Sequence, residues 1–148
     1  MTKATQVYVT YIRSTPERVW DALTNPEMTR QYWGHSIVSD WNPGSAWSLR
    51  RISDPNLSAA CGKVVECSRP GRLVLTWSKP QDSSVVSRAS FDIEKLDDAV
   101  RLTVTHDELE PESEMLRGIS RGWPIVLSSL KSLLETGKGL DSDKLFQC

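Results

Sequence analysis

At 148 residues, with 39% apolar and 25% charged side chains, the chain has the makeup of one globular domain that can bury a core without metal or disulfide staples. Its 18 basic and 19 acidic residues leave a net charge of −1, which excludes binding of nucleic acid or anionic lipid by bulk charge. No apolar run reaches the ~18–20 residues of a membrane span, no signal segment opens the chain, and Cys61, Cys67 and Cys148 form no C-x-x-C pair, so a cytoplasmic protein with reduced thiols is expected.

The first expected element is a strand over residues 6–13, "QVYVTYIR", β-branched and aromatic with apolar residues on both faces. In the following "STPERVWDALTN", Ser14 or Thr15 can cap a short helix and Pro16 suits its first turn. Glu17 stands three residues after Ser14, as in a capping box. Pro26 disfavours helical geometry at Asn25, so the pattern restarts as a second short helix that buries Met28, Tyr32 and Trp33.

Strands dominate from residue 35: "HSIVS", "SAWSLRRI", "SAACGKVVEC", "RLVLTWSK", "VSRASFDIEKL" and "AVRLTVTHDEL". Alternation sets Trp47 and Leu49 opposite Arg50, and Phe91 and Ile93 opposite Asp92 and Glu94. It groups Leu102, Val104 and His106 on one face. Cys61 and Cys67 share a parity and read as buried filler. Turn residues at Arg69-Pro70-Gly71, at 81–84 and at 97–98 join the strands into an antiparallel meander.

Residues 113–137 close the domain as one long helix, with Leu116, Ile119, Trp123, Val126, Leu127 and Leu130 marking its apolar face. Residues 1–137 then form a single domain and 138–148 a loose tail. Three poor helix formers interrupt the pattern. Pro124 falls on the outer flank, where it removes a backbone hydrogen bond and crowds the carbonyl of Ser120, so a kink or break is expected at 120–123. Gly118 and Gly122 edge the apolar stripe, where missing side chains allow close approach to the sheet or leave room for a ligand.

Little in the chain points to bond-making chemistry. His35 and His106 lie far apart in sequence, no cysteine pair is close, and neither a G-x-S-x-G turn nor a glycine-rich phosphate loop occurs. Neither a metal nor any other cofactor is expected. His106 is the candidate for acid–base work, against the reading adopted here of a hydrogen-bonded histidine near the fraying end of its strand. Asp92 and Glu94 read as a solvated edge rather than a catalytic pair. Arg13, Arg50 and Arg51 read as surface cations, with steering of an acidic ligand head as the alternative. Among the six tryptophans, Trp20 belongs to the core, while Trp41, beside Asn42-Pro43-Gly44, is placed to rim an opening.

The order of strand, two short helices, six strands and a long helix is that of a helix-grip α+β domain: a curved antiparallel sheet of six or seven strands around a C-terminal helix. The words "TPERVWDALTNPEMTRQYW", "RLVLTWS", "RLTVTHDEL" and "GWPIVLSSLKSLLETG" resemble the START-like (SRPBCC) superfamily, and within it the activator of heat-shock protein 90 ATPase family. The resemblance spans residues 7–137. It implies a space between sheet and final helix that holds a hydrophobic small molecule such as a lipid. Trp33, Trp47, Trp77 and Trp123 would converge there. Leu49, Leu75 and Phe91 would join them from the strands, with Leu102, Val104 and His106 from the last strand and Ile119 and Leu127 from the helix. The adopted reading is non-enzymatic binding of an apolar ligand. A co-chaperone-like or other protein-interaction domain is the alternative, and a cyclase- or aromatase-like enzyme the third. An open meander also leaves strand edges for a homodimer.

Overall fold

A computed structural model of the chain describes residues 2–141, 144 and 145. Its elements are β1 (Ala4–Ile12), α1 (Pro16–Thr24), α2 (Pro26–Trp33), β2 (His35–Ser39), β3 (Ala46–Arg51), β4 (Ser58–Ser68), β5 (Arg72–Lys79), β6 (Asp82–Lys95), β7 (Val100–Leu109) and α3 (Glu114–Thr136). The strands form one seven-stranded antiparallel sheet in the order β1-β7-β6-β5-β4-β3-β2, the helix-grip arrangement expected. Six strands follow one another as a meander. β1 joins from outside, pairing with β7 from Ala4↔Leu109 to Ile12↔Val100. The two short helices carry the chain from β1 at one edge to β2 at the other, and α3 lies over the inner face against β1, β7 and α2.

Local chemistry explains the element ends. Thr15, rather than Ser14, caps α1 by accepting from the Arg18 N–H, with Pro16 in the first turn. The expected box through Ser14 and Glu17 does not form, and the Ser14 Oγ is buried without a hydrogen-bond partner. Asn25 ends α1 and starts α2 at once: its N–H donates to the Asp21 carbonyl, while its side chain accepts from the N–H groups of Glu27 and Met28. Ser113 caps α3 by accepting from the Leu116 N–H. The buried set of α2 is Thr29, Tyr32 and Trp33, with Met28 half-buried beside it.

Several expectations are corrected. Of the kink or break expected at 120–123, the break does not occur: α3 runs as one helix through Pro124. The proline is exposed, so the carbonyl it crowds can tilt toward water, while Trp123, Val126 and Leu127 anchor both halves of the helix from inside. β6 begins at Asp82 rather than Val86, because Lys79 pairs directly with Asp82 and the turn tightens to Pro80-Gln81. The register of β4 slips between Val64 and Glu66, so Cys61 and Cys67 do not share a face: only Cys67 packs against the core, and both thiols are half-buried. Residues 138–141 are not loose. Leu140 N–H donates to Ser129 Oγ at 2.9 Å and Ser132 Oγ donates to the Lys138 carbonyl at 2.7 Å. Cys148 and part of the remaining tail lie outside the described residues.

One close approach matters for the site. At Gly62 in β4 an added Cβ would stand 2.1 Å from the Thr76 carbonyl oxygen of β5, and Thr76 Oγ1 accepts from the Lys63 N–H beside it. The same Thr76 carbonyl accepts from the Trp47 indole at 2.8 Å. A fully buried indole N–H is thereby satisfied, and β3, β4 and β5 are drawn together beneath α3.

Candidate functional site

Five aromatic rings gather where α2 and α3 meet the sheet. Trp77 of β5 is the hub, with ring centroids 4.8 Å from Trp47, 5.5 Å from Trp123 and 6.3 Å from Trp33. Trp33 and Trp123 stand 5.5 Å apart, and Phe91 meets Trp123 edge-on at 5.6 Å. All five are buried. Such tilted and edge contacts satisfy the ring quadrupoles and fix the orientation of each ring.

Behind the rings lies His106, fully buried and three residues inside the end of β7 rather than at a fraying terminus. Trp123 Nε1 donates to His106 Nδ1 at 3.1 Å. An indole nitrogen can only donate, so Nδ1 accepts and the imidazole proton sits on Nε2. Nε2 therefore donates to Ser87 Oγ at 2.7 Å, and the Ser87 hydroxyl donates on to the Trp77 carbonyl at 3.3 Å. Burial pushes His106 down to about 4, against a smaller upward pull from Asp107. In this tautomer the imidazole has no lone pair aimed at Ser87 and cannot take its proton. The chain of bonds instead ties the Trp123 indole to the sheet and ends on the backbone carbonyl of Trp77.

In front of the rings is a cleft of about 460 Å³ that opens to solvent. Trp33, Trp77 and Trp123 form its aromatic wall. Leu49, Ala59 and Ala60 line it from β3 and β4, and Ile119 and Val126 from α3. Gly118 and Gly122 complete the helix side. A Cβ at Gly118 would meet no atom within 4 Å, so the missing side chain leaves space there rather than permitting contact. His35 stands at the mouth, its Nδ1 donating to the Trp33 carbonyl at 3.2 Å. A second cleft of about 480 Å³ shares His35 and is bounded by Gly34, Arg51, Ile52 and Ser53.

The structure thus brings Trp33, Leu49, Trp77, Ile119 and Trp123 to the cleft. Trp47, Leu75, Phe91, Leu102, Val104, His106 and Leu127 lie in the solid core behind or beside it. Trp41 packs half-buried against the core and does not line the cleft. His35 and the alanines of β4 did not emerge from the sequence as wall residues. Asp92 and Glu94 face outward in ion pairs with Arg72 and Arg101, and Arg13 pairs with Asp98. Among the described residues no three metal-ligating side chains gather, and no helix is long and apolar enough to cross a membrane.

The profile of the family described as "Activator of Hsp90 ATPase homolog 1-like protein" matches residues 13–135. No curated protein matches the chain. Among solved structures, the Aha1 dimer from Colwellia psychrerythraea is 21% identical over 92% of this chain and 99% of that one, with a TM-score of 0.77. CalU16 from Micromonospora echinospora is 19% identical over 98% of this chain and 82% of its own, with a TM-score of 0.74. PFC0360w, an HSP90 activator from Plasmodium falciparum, is 19% identical over 88% and 95%, also with a TM-score of 0.74. At these identities the likeness is one of fold.

Proposed function

The chain belongs to the Activator of Hsp90 ATPase homolog 1-like family, and from that premise we propose that it binds a hydrophobic small molecule between α3 and the sheet without chemical conversion. The observation that carries this reading is the 460 Å³ cleft walled by Trp33, Trp77 and Trp123. Its volume falls within the ~300–1,000 Å³ usual for ligand sites, and its lining is apolar apart from His35 at the mouth. The locked neutral His106 leaves no general base among the rings, which favours binding over turnover. We place the protein in the cytoplasm, since Cys61 and Cys67 are free thiols. Titration with a panel of fatty acids, flavonoids and aromatic polyketides should quench or shift tryptophan fluorescence and raise the melting temperature. A panel that moves neither signal would sink the reading.

A protein-interaction role rests on a separate observation. The outer face of edge strand β1 exposes Val7, Val9 and Tyr11, each at least half accessible. Such a stripe suits a protein partner or a second copy of the chain. Under this reading the pure protein stimulates ATP hydrolysis by heat-shock protein 90, in line with the family's description and with the Plasmodium neighbour's name as an HSP90 activator. It also self-associates, and Val9→Lys weakens both effects. Unchanged ATP hydrolysis together with a monomer in sedimentation would exclude it.

A further inference from the structure

We propose that the ligand of this cleft carries a negative head group, held at the mouth by Arg51 beside His35, with a flat aromatic body lying inside against the tryptophans. The inference rests on the ligand-binding reading and adds the chemistry of the head.

Arg51 ends β3 in the parity of Trp47 and Leu49, the buried inward-facing residues of that strand. Its cross-strand partner on β2 is His35. Directly opposed residues of an antiparallel pair project to the same face, so both belong to the side of the sheet that α3 covers. Arginines on the outer face have partners there: Arg72 with Asp92, Arg88 with Asp107 and Arg101 with Glu94. The Arg51 side chain has no hydrogen-bond or ion-pair partner among the described residues, and it borders the second cleft. His35 lines both clefts, so the cationic space and the apolar space are neighbours that share this residue. With Nδ1 donating to the Trp33 carbonyl, the neutral His35 ring presents Nε2 as an acceptor, so the anionic head is held by Arg51 and not by the imidazole.

The two spaces differ in chemistry, and one molecule can satisfy both. The inner space has three indoles on one side and the bare backbone of Gly118 and Gly122 on another, a slot that fits a planar ring system better than a branched chain. The outer space offers a guanidinium, whose forked donors match a carboxylate in two parallel hydrogen bonds. Both ends of such a ligand are matched only when it lies with its rings inward.

The probes are 1-pyrenebutyrate and 1-pyrenebutanol, which share a flat body and differ in the charge of the head. Energy transfer from tryptophan to pyrene reports binding. The wild-type protein should prefer the butyrate by about threefold to fivefold, in line with an exposed charge-assisted pair. That preference should shrink as salt rises. Arg51→Gln should bring the butyrate to the affinity of the butanol and leave the butanol unchanged, while Gly118→Leu should abolish both. Equal affinity of the two probes for wild type, or an Arg51→Gln preference equal to that of wild type, overturns the head-group inference and leaves the cleft standing as an apolar site. Failure of both probes to bind, or binding that survives Gly118→Leu, overturns the cleft reading and this inference with it.

Discussion

Beneath α3 the sheet has two halves. β6 and β7 supply Phe91, Leu102 and Val104 to a cluster that also holds Leu127, Leu130 and Leu134 of the helix, and Leu130 is fully buried. β3 and β4 supply Leu49, Ala59 and Ala60 opposite Gly118 and Gly122, and there the 460 Å³ cleft remains. Both halves are apolar, so hydrophobicity alone does not separate them. Side-chain volume does. Protein interiors close to crystal-like density when the facing volumes suffice. Two glycines on the helix and two alanines on the strand leave a deficit that nothing nearby fills. The Trp77–Trp123–His106 network forms the seam between the halves and keeps the rings from falling into the gap.

This contrast can be tested from its solid side first. Leu130→Ala should lower stability by about 2–5 kcal/mol in chemical denaturation, the range for a fully buried leucine. A cost below about 1 kcal/mol would mean that the solid half is loosely packed as well.

The seam carries the next largest effect. A native His106 near 4 binds a proton less readily than the unfolded chain near 6.5. As pH falls below about 6.5 the unfolded state takes up the proton first, so this contribution to stability is lost progressively down to about 4 and is constant below that. The full loss is about 3 kcal/mol. Urea midpoints measured between pH 7 and 4 should follow this slope, and His106→Gln should flatten it. A midpoint that stays level in the wild type would show that the imidazole is not locked neutral.

The cleft side predicts smaller and opposite effects at two glycines. Gly62→Ala places a methyl group against the Thr76 carbonyl and should cost about 1–3 kcal/mol, with a lowered melting temperature. Gly118→Leu enters open space and replaces a poor helix former, so it should leave stability unchanged or raise it by up to about 1 kcal/mol. A clear loss of stability in Gly118→Leu would mean that the cleft closes in solution.

Much of this could be read from residue order. The strand–helix–helix–meander–helix order followed from periodicity and turn chemistry, while the convergence of Trp33, Trp47, Trp77 and Trp123 was what the family resemblance implied; the four rings do gather, with Trp47 behind the cleft. What stayed hidden depended on contacts between distant segments. The depth of His106 is set by Trp123 of α3 and Ser87 of β6, and alternation along β7 says nothing about either. Pro124 signals a break in isolation, yet α3 is held by its inner face and passes through. His35 and Arg51 were read one at a time as a ring without a metal partner and a surface cation. Their pairing across β2 and β3 is what sets them side by side, His35 on both clefts and Arg51 on the second. The bulge in β4 has no signature in its own residues, and it undid the parity assigned to Cys61 and Cys67.

The pairing of β1 with β7 also bears on how the chain is made. Ala4 and Leu109 are partners, although almost every other element lies between them in the chain. A ribosome delivers residues at ~5–20 per second, so the first strand emerges seconds before its only neighbour in the sheet exists. Closing so long a loop is costly until the meander of β2 to β7 has formed. During that wait β1 has no ladder, and its inward residues Tyr8 and Ile12 have no core to occupy. β1 is therefore the strand that waits longest for its partner, and pulse-labelled refolding should show β1 amides gaining protection after those of β5 and β6.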